Sequence, residues 1–531
     1  MPSRSAFSIS KSLAALAPGF CLLILAVKAQ TAGSAPVVHT RQGTIQGITA
    51  GNVEQFRGIP FAAPPVGDLR WRAPIPPKPY SATLDASKFP PPCMQGRALP
   101  EFPAPNEDCL YLNVYRPAGS REGKKMPVLI YFHGGGFANG TASARDGVEL
   151  AGDNDMIVVM PNYRLGAFGW LALPALDGET NNSSSGNYGF LDMVAALRWI
   201  QENIAAFGGD KDNVTIAGTS AGGIAVCTLM TARMHERLFH KAIIESGECT
   251  RTSGFIISHQ AALLRGAKFA GKAGCTDSKS FASCLRSKPA AELLAASAGL
   301  DLSTANVGGS LMPIAPIELI ESGDLQRIPV MVGANHDEQK HNGVATTGFP
   351  GTPGNYDKYL KNTFGPLAPV VAAEYPASAF PDPAYAAGAA ASDSGVPNGI
   401  GFCPMLAELG GALSKVTQTY AYELDDPRGS GMPDSAGFEF GSMHTAEIGF
   451  LYAPIMLGEK TQEQVALAKR MQQYWATFAR DGRPQGGDKP WPTLQPESEN
   501  LLRFRPGGDV ILPLTKVREE HHCAFWSNLG Y

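Results

Sequence analysis

The chain has 531 residues, 44% of them hydrophobic and 17% charged, with a net charge of −4. That balance excludes a disordered chain and supports a large buried core, and a weakly acidic composition without basic blocks excludes nucleic acid as a partner. The 59 glycines and 42 prolines call for many turns between short elements.

The first segment has the features of a secretory signal peptide. Arg4 and Lys11 supply positive charge, residues 20–27 (FCLLILAV) an apolar stretch, and Val27-Lys28-Ala29 small residues before a cut ahead of Gln30. A membrane anchor is the alternative, but Pro18 and Gly19 interrupt the run, which falls well short of the roughly 20 residues needed to span a bilayer. The expectation is a removable leader at 1–29, a secreted or periplasmic protein without a transmembrane anchor, and one domain over 30–531.

Residues 37–61 carry β-like segments with turns at Gly43, Gly47 and Gly51, and a Pro-rich stretch, 60–105, follows without clear periodicity. From 126 the character changes. The runs 128–132, 156–160 and 214–217 are apolar and strand-like, and 242–244 and 328–332 repeat the theme. Such runs suit strands buried on both faces of a parallel or mixed sheet. Between them, Met193, Leu197, Ile200 and Ile204 recur at helical steps within 190–206, and Leu467, Met471, Tyr474, Trp475 and Phe478 do so within 461–480. Strands alternating with helices predict an α/β architecture, a mostly parallel sheet with helices on both faces. The Ala-, Ser- and Gly-rich stretches 250–325 and 340–415 read as insertions over the sheet's catalytic edge.

Cleavage after residue 29 removes Cys21 and leaves eight of nine cysteines, an even number that suits disulfides in an exported protein. Cys93/Cys109 and Cys275/Cys284 each enclose a short loop and are natural local pairs. Cys227 and Cys249 fall beside core elements, where free buried thiols are the plainer expectation.

The chemistry centres on Gly218-Thr219-Ser220-Ala221-Gly222, which follows the run 214–217 and precedes a stretch able to start a helix. That is the strand–turn–helix context of a G-x-S-x-G nucleophile elbow in an α/β-hydrolase fold. Upstream, His133-Gly134-Gly135-Gly136-Phe137 leaves the run 128–132 with three successive glycines. Their amides can approach a developing oxyanion, and Gly135, Gly136 and the N–H of Ala221 are the expected donors. In this fold class the acid and then the histidine follow the serine. Asp337 and Glu338, just beyond 328–332, both qualify as the acid. Of the later histidines, His341 lies too near that acid to come from a separate loop. His521 and His522 beside Cys523 suggest a metal site, but no second ligand pair accompanies them. Position and order favour His444.

These segments, with Phe56-Arg57-Gly58-Ile59-Pro60-Phe61-Ala62, Glu107-Asp108-Cys109-Leu110-Tyr111-Leu112-Asn113-Val114, Phe207-Gly208-Gly209-Asp210 and the loop 441–450, resemble the type-B carboxylesterase family, which includes cholinesterases and bacterial para-nitrobenzyl esterases. The resemblance implies a Ser220, Glu338, His444 triad, selecting Glu338 over Asp337. It also implies disulfides Cys93–Cys109, Cys275–Cys284 and Cys403–Cys523. Two departures argue against a choline substrate: Thr219 stands where the family often has Glu, and the 93–109 loop contains no Trp. The implied protein is a secreted serine carboxylesterase that cleaves small-molecule esters through an acyl-enzyme, without cofactor or metal. A lipase for longer acylglycerols and a non-catalytic adhesion protein of the same fold are the alternatives; oligomeric state is left open.

Overall fold

The computed structural model describes residues 35–531 except 98, 180–183, 235, 397–398, 430–436, 453–459, 488 and 496–499. The expected leader at 1–29 therefore lies outside the described residues.

Apolar runs that need burial on both faces become the centre of one large sheet. Met126–Phe132 is buried at every position, as are Ile157–Pro161, Lys241–Glu245, Val330–Asn335 and Thr419–Leu424. In space the strands run Val510–Pro513, Asn500–Phe504, Thr419–Leu424, Val330–Asn335, Lys241–Glu245, Gly209–Thr219, Met126–Phe132, Ile157–Pro161, Tyr111–Pro117, Val53–Pro60 and Ile48–Ala50. Pairing is parallel from Asn500–Phe504 through to Ile157–Pro161 and antiparallel at both margins. The α/β-hydrolase architecture expected from the sequence is what the chain adopts.

Alternation along one strand shows the two layers. Val128, Ile130 and Phe132 enter the core shared with helices Tyr188–Asn203 and Ala221–Thr231, whereas Leu129 and Tyr131 enter the core built on Gln462–Asp481. The helix expected over 461–480 starts where a capping box closes it: Thr461 Oγ1 accepts from Gln464 N (3.2 Å), and Gln464 Oε1 accepts from Thr461 N (3.0 Å). Leu467, Met471, Tyr474, Trp475 and Phe478 are all buried on the sheet.

Among the described residues four disulfides join Cys93 to Cys109, Cys227 to Cys249, Cys275 to Cys284 and Cys403 to Cys523. The second corrects the expectation of free thiols. Helix Ala221–Thr231 runs back along strand Lys241–Glu245, so Cys227 meets the loop that leaves this strand, with Cα atoms 6.0 Å apart. Both sulfurs are enclosed. Among the described residues no helix is long and apolar enough to cross a membrane.

Candidate active site

The site lies at the carboxyl ends of neighbouring strands, where parallel sheets present their connecting loops. Register brings the pieces level: Thr219 pairs with Glu245, and Glu245 with Gly333. Ser220, Ser246 and the loop 336–338 therefore leave adjacent strands side by side.

Ser220 sits at φ 60° and ψ −125°, between strand Gly209–Thr219 and helix Ala221–Thr231. A non-glycine residue holds that conformation only where its surroundings enforce it. Ser220 N donates to Glu245 O at 2.9 Å, and Ser220 O accepts from Ile224 N at 2.9 Å. The strand and helix then meet without room for side chains. A Cβ on Gly222 would lie 2.0 Å from Phe132 O, and one on Gly134 would lie 2.8 Å from Thr219 O and 3.0 Å from Ser220 Cβ. The glycine loop thus rests directly on the serine turn.

Within that loop, Gly135 O accepts from Ala138 N and Asn139 N at 3.1 and 3.0 Å. Its own φ of 114° and a Cβ position 2.1 Å from Asn139 O leave glycine as the fitting residue. Among the described residues the amides of Gly135, Gly136 and Ala221 donate to no other group. His133 anchors the loop. Its Nδ1 donates to Gly134 O (2.8 Å), its ring stacks on Tyr163 (4.3 Å), and the Tyr163 hydroxyl donates to His133 O (2.6 Å). Burial pushes its imidazole down to about 4, so His133 stays neutral beneath the glycines.

The acid and histidine loops are zipped together. Asp337 N donates to Ser442 O, Ser442 N to Asp337 Oδ2, and His444 N to Glu338 O, at 3.0, 3.0 and 2.9 Å. This places His444 Nδ1 at 2.7 Å from Glu338 Oε2. Since a carboxylate only accepts, Nδ1 carries the proton and Nε2 of the neutral ring keeps its lone pair. Glu338 Oε1 accepts from Asn335 N (2.7 Å) and from Ser246 Oγ (2.6 Å). Asp337 is used otherwise, accepting from Ser442 N and pairing with Lys340 at 3.2 Å. Burial works against its charge, but His336 and Lys340 hold its carboxyl down at about 2. Burial likewise opposes charge on His444, yet the hydrogen bond and charge of Glu338, with the charge of Glu447, raise it above the ordinary imidazole value. Ser220 is buried, retaining 6% of its surface, and the His444 side chain retains 16%.

Sequence reasoning missed the residues behind this pair. Ser246 stands two residues past the run 242–244 and Glu447 three residues beyond His444, so both lay within visible motifs without a spacing that marks their role. Glu447 accepts from Asn335 Nδ2 and is wholly buried. Burial and the charges of Glu338 and Glu245 push its carboxyl up to about 7. Glu245 lies under Thr219, accepting from Thr219 Oγ1 (2.6 Å), Trp475 Nε1 (2.7 Å) and the Tyr452 hydroxyl (2.9 Å). A carboxyl is present near the residue preceding Ser220, but it is sealed under the sheet edge.

His521, set aside as a metal ligand from sequence, meets His336 and Glu423, with ligand atoms within 4.8 Å of one another. Its ring nitrogens are already committed, Nδ1 to Asp393 Oδ1 (2.5 Å) and Nε2 to Glu423 Oε1 (2.8 Å). Burial disfavours charge there, but the two carboxylates push His521 up to about 10. A ring protonated on both nitrogens has no lone pair to offer a metal at neutral pH. His522 pairs instead with Glu374 (2.5 Å).

Known proteins are similar to this chain over most of its length. The sequence profile of the carboxylesterase family matches residues 34–364 and 398–526. A fumonisin B1 esterase of Sphingopyxis macrogoltabida is 34% identical over 93% of this chain and 91% of its own. An acylcarnitine hydrolase of Mus musculus is 34% identical over 91% and 90%. The solved structure of a PNB esterase superposes with a TM-score of 0.75 at 30% identity, covering 92% of this chain and 100% of that one.

Proposed function

Because this chain belongs to the carboxylesterase family and is a carboxylic ester hydrolase, we propose that Ser220, His444 and Glu338 carry the cleavage of small-molecule esters through an acyl-enzyme. The observation that carries the reading is the 2.7 Å hydrogen bond from His444 Nδ1 to Glu338, at the same end of the sheet as a serine held at φ 60°. The proton on Nδ1 leaves Nε2 to take the Ser220 hydroxyl proton as Oγ attacks the ester carbonyl. The amides of Gly135, Gly136 and Ala221 receive the oxyanion, each contributing on the order of 3 kcal/mol to its stabilisation. Collapse expels the alcohol, which takes the proton from His444. Water, deprotonated by the same nitrogen, then releases the acid and restores Ser220. Glu338 holds the imidazolium that forms in each step, and Ser246 and Asn335 hold Glu338.

We also infer that residues 1–29 are a leader removed on export and that 30–531 is one catalytic domain; the described residues 36–531 form one compact unit. One experiment addresses both readings. An organophosphonate should label the exported protein on Ser220 and fail to label Ser220→Ala, and the labelled chain should begin at Gln30. Labelling that persists in the variant overturns the triad, and a chain still beginning at Met1 overturns the leader.

A further inference from the structure

The carboxyl sealed beneath the serine turn takes no part in the chemistry above, yet it gathers the elements that carry it. Thr219 and Glu245 stand side by side on neighbouring strands, both wholly buried. Thr219 Oγ1 donates to Glu245 Oε2 at 2.6 Å and accepts from the Tyr131 hydroxyl at 3.1 Å. Glu245 Oε1 accepts from Trp475 Nε1 and from the Tyr452 hydroxyl, at 2.7 and 2.9 Å. Trp475, on helix Gln462–Asp481, anchors the group to the layer below. The other partners come from the separate arms of the site. Tyr131 lies two residues before His133, on the strand that ends in the glycine loop. Thr219 precedes Ser220, whose N donates to Glu245 O. Glu245 precedes Ser246, which donates to Glu338. Tyr452 closes the turn Ile448–Leu451 that follows His444, with Tyr452 N donating to Ile448 O (2.8 Å) and Ile448 N to Thr445 O (3.1 Å).

A hydroxyl has one proton to give and lone pairs to receive, so Thr219 spends its proton on Glu245 and takes that of Tyr131. It thereby bridges the strand of the glycine loop and the strand of Ser246, with the nucleophile's own strand between them. Holding the strands together does not call for this. Two residues earlier, the same face of the same two strands pairs Ala217 with Ile243, apolar side chains packed in the same layer. A buried carboxyl is unfavourable by comparison. The pairing turns polar in the row that touches the turn, where Ser220 must be kept at φ 60°. A fully bonded polar network fixes geometry more sharply than apolar contact does.

We propose that Thr219 and Glu245 are positioning residues for ester cleavage: the Thr219 hydroxyl, held between Tyr131 and Glu245, sets the Ser220 turn against the strand that feeds the oxyanion glycines. Neither residue touches the ester. They act through Ser220 and the amides of Gly135 and Gly136, a role that rests on the assignment of the triad and oxyanion donors above.

Hydrolysis of 4-nitrophenyl butyrate, with kcat referred to serines labelled to completion by an organophosphonate, tests this without counting unfolded protein. Thr219→Val keeps the shape and removes the hydroxyl. Its kcat should fall about 10- to 10²-fold while KM stays within about two-fold, because nucleophile and oxyanion donors lose their mutual placement and the binding surface does not change. Thr219→Ser restores the hydroxyl and should recover most of the kcat. Tyr131→Phe keeps the ring packed on Tyr452, 4.1 Å between centres, and removes the same link from its other end. Its kcat should fall about three-fold or more, and the double variant should be no slower than Thr219→Val, since one chain is broken only once. Tyr131→Phe decides the matter if Thr219→Val does not fold. Unchanged kcat per labelled serine in Tyr131→Phe or in folded Thr219→Val overturns the proposal, even if the melting temperature drops. A loss that Thr219→Ser does not recover, or one that falls on KM, also overturns it. Failure of the triad assignment shows separately, as labelling that survives in Ser220→Ala.

Discussion

At the acid–histidine pair, charge behind the site tunes its response to pH. In the proposed mechanism His444 is the base, a role open to it only when neutral. Burial alone would lower its pKa, but Glu338 and Glu447 raise it above the ordinary value of 6.5. The acidic limb of kcat/KM should therefore have its midpoint above 6.5. Glu447, itself titrating at about 7, gains its charge over the same range. Replacing it in Glu447→Gln removes a negative charge that favours the imidazolium, so the limb should move to lower pH. A pH profile of kcat/KM for parent and variant checks this, and a midpoint that stays or rises counts against it. At this scale the sequence was readable where residue type and chain order suffice. Ser220 and His444 stood out by those means, whereas Asp337 and Glu338 did not separate. The two acids differ in what the zip between 336–338 and 442–444 does to their side chains, and no local pattern encodes that pairing.

The strand–turn–helix around Ser220 depends on atoms that are absent. A side chain at 135 would meet Asn139 O at 2.1 Å, in a loop that must also hold φ 114°. Gly135→Ala should therefore displace the free amides and lower kcat about 10²–10³-fold, the range for loss of an oxyanion donor. KM should change far less, because the alteration falls on a group used in the transition state. Steady-state kinetics with a thermal melt tests it; a full-activity variant would remove these amides from the mechanism. The glycine pattern made this element legible from sequence. The Cys227–Cys249 bond was not, because it depends on the direction in which helix Ala221–Thr231 returns along the sheet. In the chain-entropy account a loop of that length stabilises the fold by ~3 kcal/mol.

Across the whole molecule, His521 ties distant parts together. It links Asp393 on helix Pro383–Ser394 to Glu423 on strand Thr419–Leu424, beside the Cys403–Cys523 bond. Its pKa is raised in the folded protein from 6.5 to about 10. The stabilisation is therefore complete below pH 6.5 and is lost as pH rises through about 10. His521→Gln should cost about 3–5 kcal/mol near pH 6.5, since it leaves the buried Asp393 without its cation, while Glu423 keeps Arg503. The gap in melting temperature between parent and variant should narrow toward pH 10; a gap constant with pH would show that His521 acts through packing alone. The buried runs and helical periodicities made the α/β class and its two layers readable. The strand order and this tie were not, because both are decided by which distant segments find one another.

The register that sets Thr219 beside Glu245, and Glu245 beside Gly333, has a kinetic corollary. Ser220, Ser246 and Glu338 become neighbours only when three parallel strands, separated by long crossovers, have all paired. Such non-local pairings form late. During refolding, compaction and helix formation should precede esterase activity, and turnover should return with the last of these strands. The enzyme's own substrate would then serve as a stopwatch for the completion of its sheet.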